Sequence, residues 1–264
     1  MLLDKDITLF NSSSPVQIAE QSAPKYTVFH GDCLEGMKRI EDATAGLVIT
    51  DPPYNLGRFM QKRNAGVFRM RKNHFVSSGW DDLEYEEWDA KMRAFLADSY
   101  RVLRPDGAMI IFMSLMKLES LIAAAQSAGF YYKTVGIWHK TNPIPRNMNR
   151  TFVNSTEAWV YFVKGGPSGV FNNEGKVIHD FFEGSLTPGS EKKFGPHPTQ
   201  KPLKLISHFV KVLSNPGDLV VDPFMGSGTS GVACLNLDRR FFGIELDKSY
   251  VDVAFNRLKA GIRL

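Results

Sequence analysis

Residues 219–229 read Leu-Val-Val-Asp-Pro-Phe-Met-Gly-Ser-Gly-Thr, an apolar run followed by a glycine-punctuated loop and the start of a helical pattern. Glycine lets a backbone turn tightly and approach a ligand, and a helix start presents N–H groups without partners inside the helix. Glu245 lies 17 residues beyond Gly228 and ends a second apolar run. An acid about 20 residues past such a loop commonly accepts hydrogen bonds from ribose hydroxyls. The stretch therefore predicts a parallel α/β sheet with a nucleoside-binding edge.

This loop is shorter than the G-x-G-x-x-G of dinucleotide-binding proteins, and it lacks the Lys-Ser/Thr pair of a P-loop. A nucleoside cofactor with little phosphate is therefore favoured, and S-adenosylmethionine fits; a purely structural turn is the alternative. The cofactor-binding residues expected here are Asp222, Phe224, Gly226, Ser227, Gly228, Thr229, Glu245 and Leu246.

A second feature is the tetrapeptide Asp51-Pro52-Pro53-Tyr54, which follows the apolar run Leu47 to Thr50. Its carboxylate can accept a hydrogen bond from an amine, its aromatic ring can stack on a flat heterocycle, and its prolines stiffen the turn. The set suits methylation of an exocyclic amino group on a heterocycle. An ordinary turn is the alternative interpretation.

The rest of the chain alternates β-rich runs with amphipathic helices, which is typical of a parallel α/β sheet. We predict strands at 46–50, 108–113, 218–221 and 241–245, and two edge strands at 130–139 and 157–163. We predict helices at 84–103, 115–128, 202–213, 227–238 and 247–259, with a turn at 104–107.

Composition is ordinary for a globular protein, with 264 residues, 43% hydrophobic and 23% charged. We expect a polar tail over residues 1–25, with disorder at 11–15, and a single domain over 26–264. Cys33 and Cys234 are the two cysteines and are expected to be small buried residues in a reducing compartment. The sequence contains no membrane-length apolar run and no signal-peptide pattern, so a cytoplasmic location is expected.

The segment 58–79 is basic and contains no Asp or Glu. Such a segment can neutralise phosphates and give affinity for nucleic acid, and a solvated loop without a partner is the alternative. The DNA-binding residues expected in it are Arg58, Lys62, Arg63, Arg69, Arg71 and Lys72.

Asp51 to Tyr54, taken with the later loop from Asp222 to Thr229, resembles the amino-group DNA methyltransferases. In that family the tetrapeptide is the catalytic motif and the loop binds S-adenosylmethionine. The catalytic motif comes first and the cofactor loop last, a circularly permuted order that is similar to the β class. The resemblance implies a Rossmann-like methyltransferase fold, a mostly parallel twisted sheet with helices on both faces.

Two further segments extend the resemblance at the cofactor site. His30 to Leu34 resembles the segment whose acid reaches the cofactor adenine, which implies that Asp32 and Cys33 are cofactor-binding. His197 to Pro202 is similar to the motif at the methionine end, which implies the same for Thr199 and Lys201. The alternatives are that Asp32 is a helix cap and that Lys201 is a solvated lysine at a helix start.

Trp138 to Pro143 resembles the segment beside the target-base pocket, although Trp138 is equally compatible with the core. A target-recognition region is expected at about 164–196, and the basic loop at 58–79 is expected to share its work. The six histidines show no metal-ligand spacing, and no metal is expected; they are His30, His74, His139, His179, His197 and His208.

The resemblance implies a site-specific DNA methyltransferase of a bacterial or phage-like restriction-modification system, acting on duplex DNA after base flipping. Asp51 as the first motif residue favours adenine N6 over cytosine N4. Cytosine-N4 methylation, an RNA substrate and an inactive DNA-binding subunit are the alternatives. A cognate restriction endonuclease and a second copy of the chain are the further partners implied.

Overall fold

The computed structural model describes residues 7–11, 25–55, 83–145 and 149–261. These residues contain one nine-stranded sheet. Its strands are β1 (Ile7–Asn11), β2 (Tyr26–His30), β3 (Ala45–Thr50), β4 (Leu103–Met113), β5 (Phe130–Lys140), β6 (Thr156–Lys164), β7 (Phe181–Gly184), β8 (Leu219–Asp222) and β9 (Arg240–Glu245). The α-helices are α1 (Cys33–Met37), α2 (Tyr85–Val102), α3 (Leu118–Ser127), α4 (Leu203–Leu213), α5 (Thr229–Asn236) and α6 (Lys248–Ala260).

The strand order is β1-β2-β9-β8-β3-β4-β6-β5-β7. Neighbouring strands from β1 to β4 are parallel, whereas β6 is antiparallel to both β4 and β5. The strands predicted at 130–139 and 157–163 are confirmed as β5 and β6, but their placement at the edge is wrong. β6 lies between β4 and β5, and β7 covers the outer side of β5 in parallel.

Helices cover both faces of the sheet, as predicted. The helices α1, α2 and α3 bury one face with residues such as Trp88 and Phe95, and α4, α5 and α6 bury the other with residues such as Phe209 and Val251. The amphipathic spacing of apolar residues in these helices places their apolar sides against the strands. No helix in the described ranges is both long enough and apolar enough to span a membrane.

Two local features differ from the sequence prediction. Residues 104–107, expected as a turn, belong to β4 but form an irregular stretch opposite a register shift in β3, and Asp106 has a φ of 62° there. Residues 7–11, expected within a polar tail, form the edge strand β1, which pairs in parallel with β2. A short edge strand takes its hydrogen bonds from its neighbour, so its own composition predicts it poorly.

The sheet sets the positions of the acidic residues singled out above. The strands β2, β9, β8 and β3 are consecutive neighbours and run in the same direction, so their carboxyl ends meet at one edge. Asp32, Glu245, Asp222 and Asp51 lie at these four ends in that order. Ligands of open α/β sheets bind outside the carboxyl ends of the strands.

Candidate active site

Asp51 directly follows β3, and both of its carboxylate oxygens have donors. The Tyr54 hydroxyl donates to Oδ1 at 2.6 Å, and the Lys201 ammonium contacts Oδ2. The turn between Asp51 and Tyr54 is held by the Trp88 indole, whose N–H donates to the Pro53 carbonyl at 3.4 Å. The tetrapeptide thus presents a carboxylate and a phenol that are already oriented towards each other.

Glu157, near the start of β6, is a second carboxylate in the same cluster. Its Oε1 accepts from the Tyr54 hydroxyl at 2.9 Å and lies 2.8 Å from Lys201 Nζ. Its Oε2 lies 2.9 Å from Lys140 Nζ. Two carboxylates and two ammonium groups therefore form a compact network without net charge. Asp51 is its most exposed charged member, with 23% of its side-chain surface exposed against 16%, 15% and 9% for Glu157, Lys140 and Lys201.

Burial and charge act against each other in this network. Burial alone would raise the pKa of Glu157, but the Lys201 and Lys140 ammonium groups lower it to about 2. Burial would lower the pKa of Lys201, but Asp51 and Glu157 raise it above its ordinary value. For Asp51, burial raises the pKa and Lys201 opposes the shift. Lys201 and Glu157 are accordingly charged at neutral pH.

The segment before α4 joins the Asp51 cluster to the glycine loop. Lys201 contacts Asp51, and the preceding residue, Gln200, accepts a hydrogen bond from the Ser227 hydroxyl at 3.0 Å. The Gln200 carbonyl in turn accepts from the buried Thr187 hydroxyl. One dipeptide therefore contacts both motifs that the sequence analysis singled out.

The glycine loop between β8 and α5 is tightly packed. Gly226 and Gly228 have φ values of 51° and 75°, in the left-handed region that glycine tolerates. A Cβ on Gly226 would lie 2.7 Å from His197 Nε2, and a Cβ on Gly228 would lie 2.8 Å from the Ala254 Cβ. Side chains larger than hydrogen are excluded at both positions by conformation and by contact.

Asp222, at the end of β8, accepts hydrogen bonds that hold the start of the glycine loop in place. Its Oδ1 accepts from the Thr50 hydroxyl at 2.9 Å and from the Phe224 N–H at 3.1 Å, and its Oδ2 accepts from Ser230. Burial raises the pKa of Asp222 to about 6. The Thr50 contact ties β3 to β8, and so fixes the position of Asp51 relative to the loop.

Glu245 ends β9 beside the same loop. Its carboxylate accepts from the Gly226 N–H at 3.0 Å and from the Asp247 N–H at 2.8 Å. Burial raises the pKa of Glu245 to about 7, although these backbone donors oppose the shift. Each carboxylate oxygen keeps a lone pair for a further donor.

The other residues expected at the cofactor site lie in varied environments. Asp32 caps α1, because its Oδ1 accepts from the Leu34 N–H at 2.8 Å, and this cap is compatible with a cofactor contact through Oδ2. Cys33 is buried in the core, whereas Thr199 and Leu246 are exposed. The cofactor contacts assigned to these residues stay predictions.

Three more residues of the loop region face the protein interior. The ring of Phe224 packs edge-on against Phe95. The hydroxyls of Ser227 and Thr229 accept from the buried Arg257 guanidinium at 2.9 and 3.0 Å. These contacts hold the loop to α2 and α6.

Trp138 belongs to the core, because it is 2% exposed and its indole N–H donates to the Gly184 carbonyl at 3.1 Å. The six basic residues predicted to contact DNA lie outside the described residues. The segment that carries them, 56–82, lies between Asn55 and Leu83 in the sequence. The Asn55 amide group makes hydrogen bonds of 3.2 and 3.0 Å to the Leu83 backbone. The two residues that flank the segment therefore lie together, next to Tyr54.

Sequence reasoning missed three members of this site: Lys140, Glu157 and Gln200. Glu157 carried a signal, because it is the lone acid near the start of the otherwise apolar run Thr156 to Val163. Lys140 and Gln200 stand inside segments that were recognised, but nothing in the sequence names their partners. Among the described residues, no group of three or more His, Cys, Asp or Glu side chains is arranged to hold a metal.

A parallel sheet that places a glycine loop and a row of acids along its carboxyl edge defines a Rossmann-like nucleoside-dependent enzyme. A family model described as DNA methylase, for N6 and N4 methyltransferases, matches residues 45–256. The chain therefore belongs to the N6/N4 DNA methylase family.

Individual relatives agree with this assignment. The chain is 33% identical over 247 residues to the type II methyltransferase M2.DpnII of Streptococcus pneumoniae, covering 89% of this chain and 90% of the relative. It is 32% identical over 243 residues to the type II methyltransferase M2.LlaDCHI of Lactococcus lactis subsp. cremoris, covering 88% of each.

Solved structures give the same fold. The M1.HpyAVI–SAM complex has a TM-score of 0.65 at 29% identity, covering 88% of this chain and 99% of that one. The cytosine-N4-specific PvuII DNA methyltransferase has a TM-score of 0.71 at 21% identity, covering 88% of this chain and 86% of that one, and bears on the fold alone. The predicted Rossmann-like methyltransferase fold is confirmed.

Proposed function

We propose that this protein transfers a methyl group from S-adenosylmethionine to adenine N6 in duplex DNA. The observation that carries the proposal is the pair Gln200 and Lys201, which contacts the cofactor loop at Ser227 and the carboxylate at Asp51. The two motifs expected to hold donor and acceptor are thereby built into one site.

The residues at the carboxyl edge fit S-adenosylmethionine. Asp32, Glu245 and the loop around Gly226 follow one another along the edge, in the order expected for adenine, ribose and the methionine end. Glu245 keeps free lone pairs for ribose hydroxyls, and the resemblance adds Thr199 and Lys201 at the methionine end. When bound, the cofactor supplies an electrophilic methyl group. The complex of M1.HpyAVI with SAM supports the assignment.

The protein's own residues orient the amine and stabilise its charge. Asp51 accepts one N6–H hydrogen bond and directs the nitrogen lone pair, while the Pro52 carbonyl accepts the second. As the new N–C bond forms and the S–C bond of the donor breaks, the carboxylate stabilises the positive charge on the nitrogen, and the surplus N6 proton then leaves to water. Tyr54 stacks on the base, which is flipped out of the duplex at a cost of a few kcal/mol. Stacking worth about 1–3 kcal/mol per base offsets part of that cost.

Adenine is the proposed target because the motif begins with Asp51. Cytosine N4 is the second candidate, since the family model that matches this chain covers both N6 and N4 methyltransferases. Nucleoside analysis of DNA methylated by the purified protein separates the two. N6-methyladenine is expected, and N4-methylcytosine alone would overturn the adenine assignment.

DNA contacts are proposed for the basic segment 58–79, supported by its lack of acids and by its attachment beside Tyr54. The stretch 164–196, within the single domain 26–264, is proposed as the target-recognition region. We also propose a cytoplasmic location and a cognate restriction endonuclease, supported by the type II relatives. A homodimer rests on the family resemblance, and light scattering would test it.

The central experiment replaces Asp51 with alanine. Asp51→Ala should abolish transfer of labelled methyl groups to DNA, with cofactor affinity measured by calorimetry close to that of the wild type. Asp252→Ala, an exposed acid on α6 paired with Lys248, is the matched control and should keep full activity. Normal turnover by Asp51→Ala would refute the role of Asp51.

A further inference from the structure

We propose that Glu157 is a positioning residue, which accepts the hydrogen bond from the Tyr54 hydroxyl when the target amine occupies Asp51. The inference deepens the proposed function and rests on it, since it assumes that an amine binds to Asp51. It assigns a role in the reaction to an acid that lies 106 positions after the catalytic tetrapeptide begins.

The Tyr54 hydroxyl has two acceptors and one proton. Its oxygen lies 2.6 Å from Asp51 Oδ1 and 2.9 Å from Glu157 Oε1. A phenol donates one hydrogen bond at a time, so the two contacts are alternatives for the same proton. The shorter contact is the one to Asp51, which makes this the favoured acceptor while Asp51 has no other donor on that oxygen.

An amine that binds Asp51 competes with this hydroxyl. Each hydrogen bond that a carboxylate accepts withdraws charge from it and weakens its attraction for another donor. Because Glu157 is within reach, the hydroxyl proton can turn away from Asp51 without losing a partner. The Tyr54 ring keeps its position during the exchange, and no buried donor is left unsatisfied.

Glu157 also controls how Lys201 affects the reaction. The ammonium contacts both Asp51 and Glu157, so its charge is divided between two carboxylates. Lys201 paired with Asp51 alone would cancel the negative charge that the methylated nitrogen requires. Lys140 balances the outer oxygen of Glu157 at 2.9 Å, which keeps the network neutral.

The charged and titratable groups around Asp51 give the proposal a measurable signature. Burial raises the pKa of Asp51; Lys201 and the Tyr54 hydroxyl oppose that shift, whereas the Glu157 carboxylate adds to it. Asp222 is a further carboxylate near Asp51, and it accepts a hydrogen bond from the hydroxyl of the preceding residue, Thr50. Removing the charge of Glu157 should therefore lower the pKa of Asp51, and removing the Tyr54 hydroxyl should raise it.

The test measures kcat and kcat/KM against pH for Glu157→Gln and Tyr54→Phe, because kcat/KM reports the pKa of Asp51 in the free protein, where the Tyr54 hydroxyl donates to it. Glu157→Gln should lower the kcat plateau roughly 10- to 100-fold, since a charge-assisted acceptor is lost. The acid limb of kcat/KM should move to lower pH for Glu157→Gln and to higher pH for Tyr54→Phe. Cofactor affinity should change less than about twofold in Glu157→Gln. Asp252→Asn, an exposed acid on α6 paired with Lys248, is the control and should behave as the wild type.

The double variant isolates the hydroxyl exchange. Glu157→Gln should lower kcat by a smaller factor in a Tyr54→Phe background than in the wild type, because no Tyr54 hydroxyl then has to move from Asp51 to Glu157. Equal factors in both backgrounds, or acid limbs that do not move, would overturn the proposal. If Glu157→Gln does not fold, Glu157→Asp replaces it: the shorter acid keeps the charge but withdraws from the Tyr54 hydroxyl, and an unchanged kcat would overturn the proposal. Wild-type protein that transfers no methyl group would overturn the proposed function as well, whereas active wild type with an equally active Glu157→Gln overturns this inference alone.

Discussion

Replacing Glu245 with glutamine should make the free energy of unfolding rise, relative to that of the wild type, as the pH increases. Burial raises the pKa of Glu245 from 4.5 to about 7, so the folded protein holds this proton more tightly than the unfolded chain. Its contribution to stability is therefore fully present below the unfolded pKa and is lost as the pH rises through the folded pKa. The shift corresponds to about 3 kcal/mol at 1.36 kcal/mol per pKa unit.

Other buried groups also make stability depend on pH, so the wild-type curve alone does not isolate Glu245. Burial lowers the pKa of His197 to about 4, and its contribution is present above the unfolded pKa of 6.5 and is lost as the pH falls towards 4. Burial raises the pKa of Asp222 to about 6, which acts in the same direction as Glu245. The difference between variant and wild type removes these shared contributions.

The assay is urea unfolding of wild type and Glu245→Gln from about pH 4.5 to about pH 8.5, with the free energy of unfolding obtained by linear extrapolation. At the acidic end the two proteins should differ by a fixed offset, because the glutamine amide nitrogen cannot accept the backbone N–H that a carboxyl oxygen of Glu245 accepts. From the acidic to the alkaline end, the variant should gain up to about 3 kcal/mol relative to the wild type. Glu119→Gln, an exposed acid on α3, should stay within about 0.5 kcal/mol of the wild type throughout. A difference between Glu245→Gln and wild type that does not vary with pH would refute the reasoning.

Two further predictions concern the cofactor loop and the basic segment. Gly228→Ala should lower the free energy of unfolding by about 1–3 kcal/mol, because it adds left-handed strain and a Cβ 2.8 Å from that of Ala254. Gly189→Ala, whose Cβ would meet open space, is the control for chemical denaturation, and equal effects would contradict the packing argument. Neutralising three basic residues together should weaken DNA binding in fluorescence titrations and reduce the dependence of the binding constant on salt concentration. If that salt dependence did not change, the segment would be a solvated loop that does not contact DNA. These residues, outside the described ranges, are Arg69, Arg71 and Lys72.

Local pattern predicted the helices and most strands well, because apolar periodicity and turn residues act over short distances. The helix predicted at 84–103 is α2 (Tyr85–Val102), and Asp247 caps α6 through the Ser249 N–H as expected. The sequence could not predict that β6 inserts between β4 and β5, since that arrangement depends on pairs such as Met113 with Ala158. Register between distant strands leaves little trace in either strand alone.

The candidate site divides in the same way. The tetrapeptide at 51–54 and the loop at 222–229 could be recognised because each needs special residues at fixed spacing. The partner of Lys201 could not, because Asp51 lies 150 residues earlier and the contact exists only once the sheet is assembled. Glu157 is a similar case, an acid whose three partners come from three other segments of the chain.

The adjacency of Gln200 and Lys201 has a thermodynamic consequence. One dipeptide holds the cofactor loop and the carboxylate, so a shift of either partner on ligand binding moves the other. Such coupling is reciprocal: whatever factor the methyl donor adds to the affinity for a flipped base, the base adds to the affinity for the donor. Wherever that factor exceeds one, the protein holds its donor more tightly with a target base bound than without it.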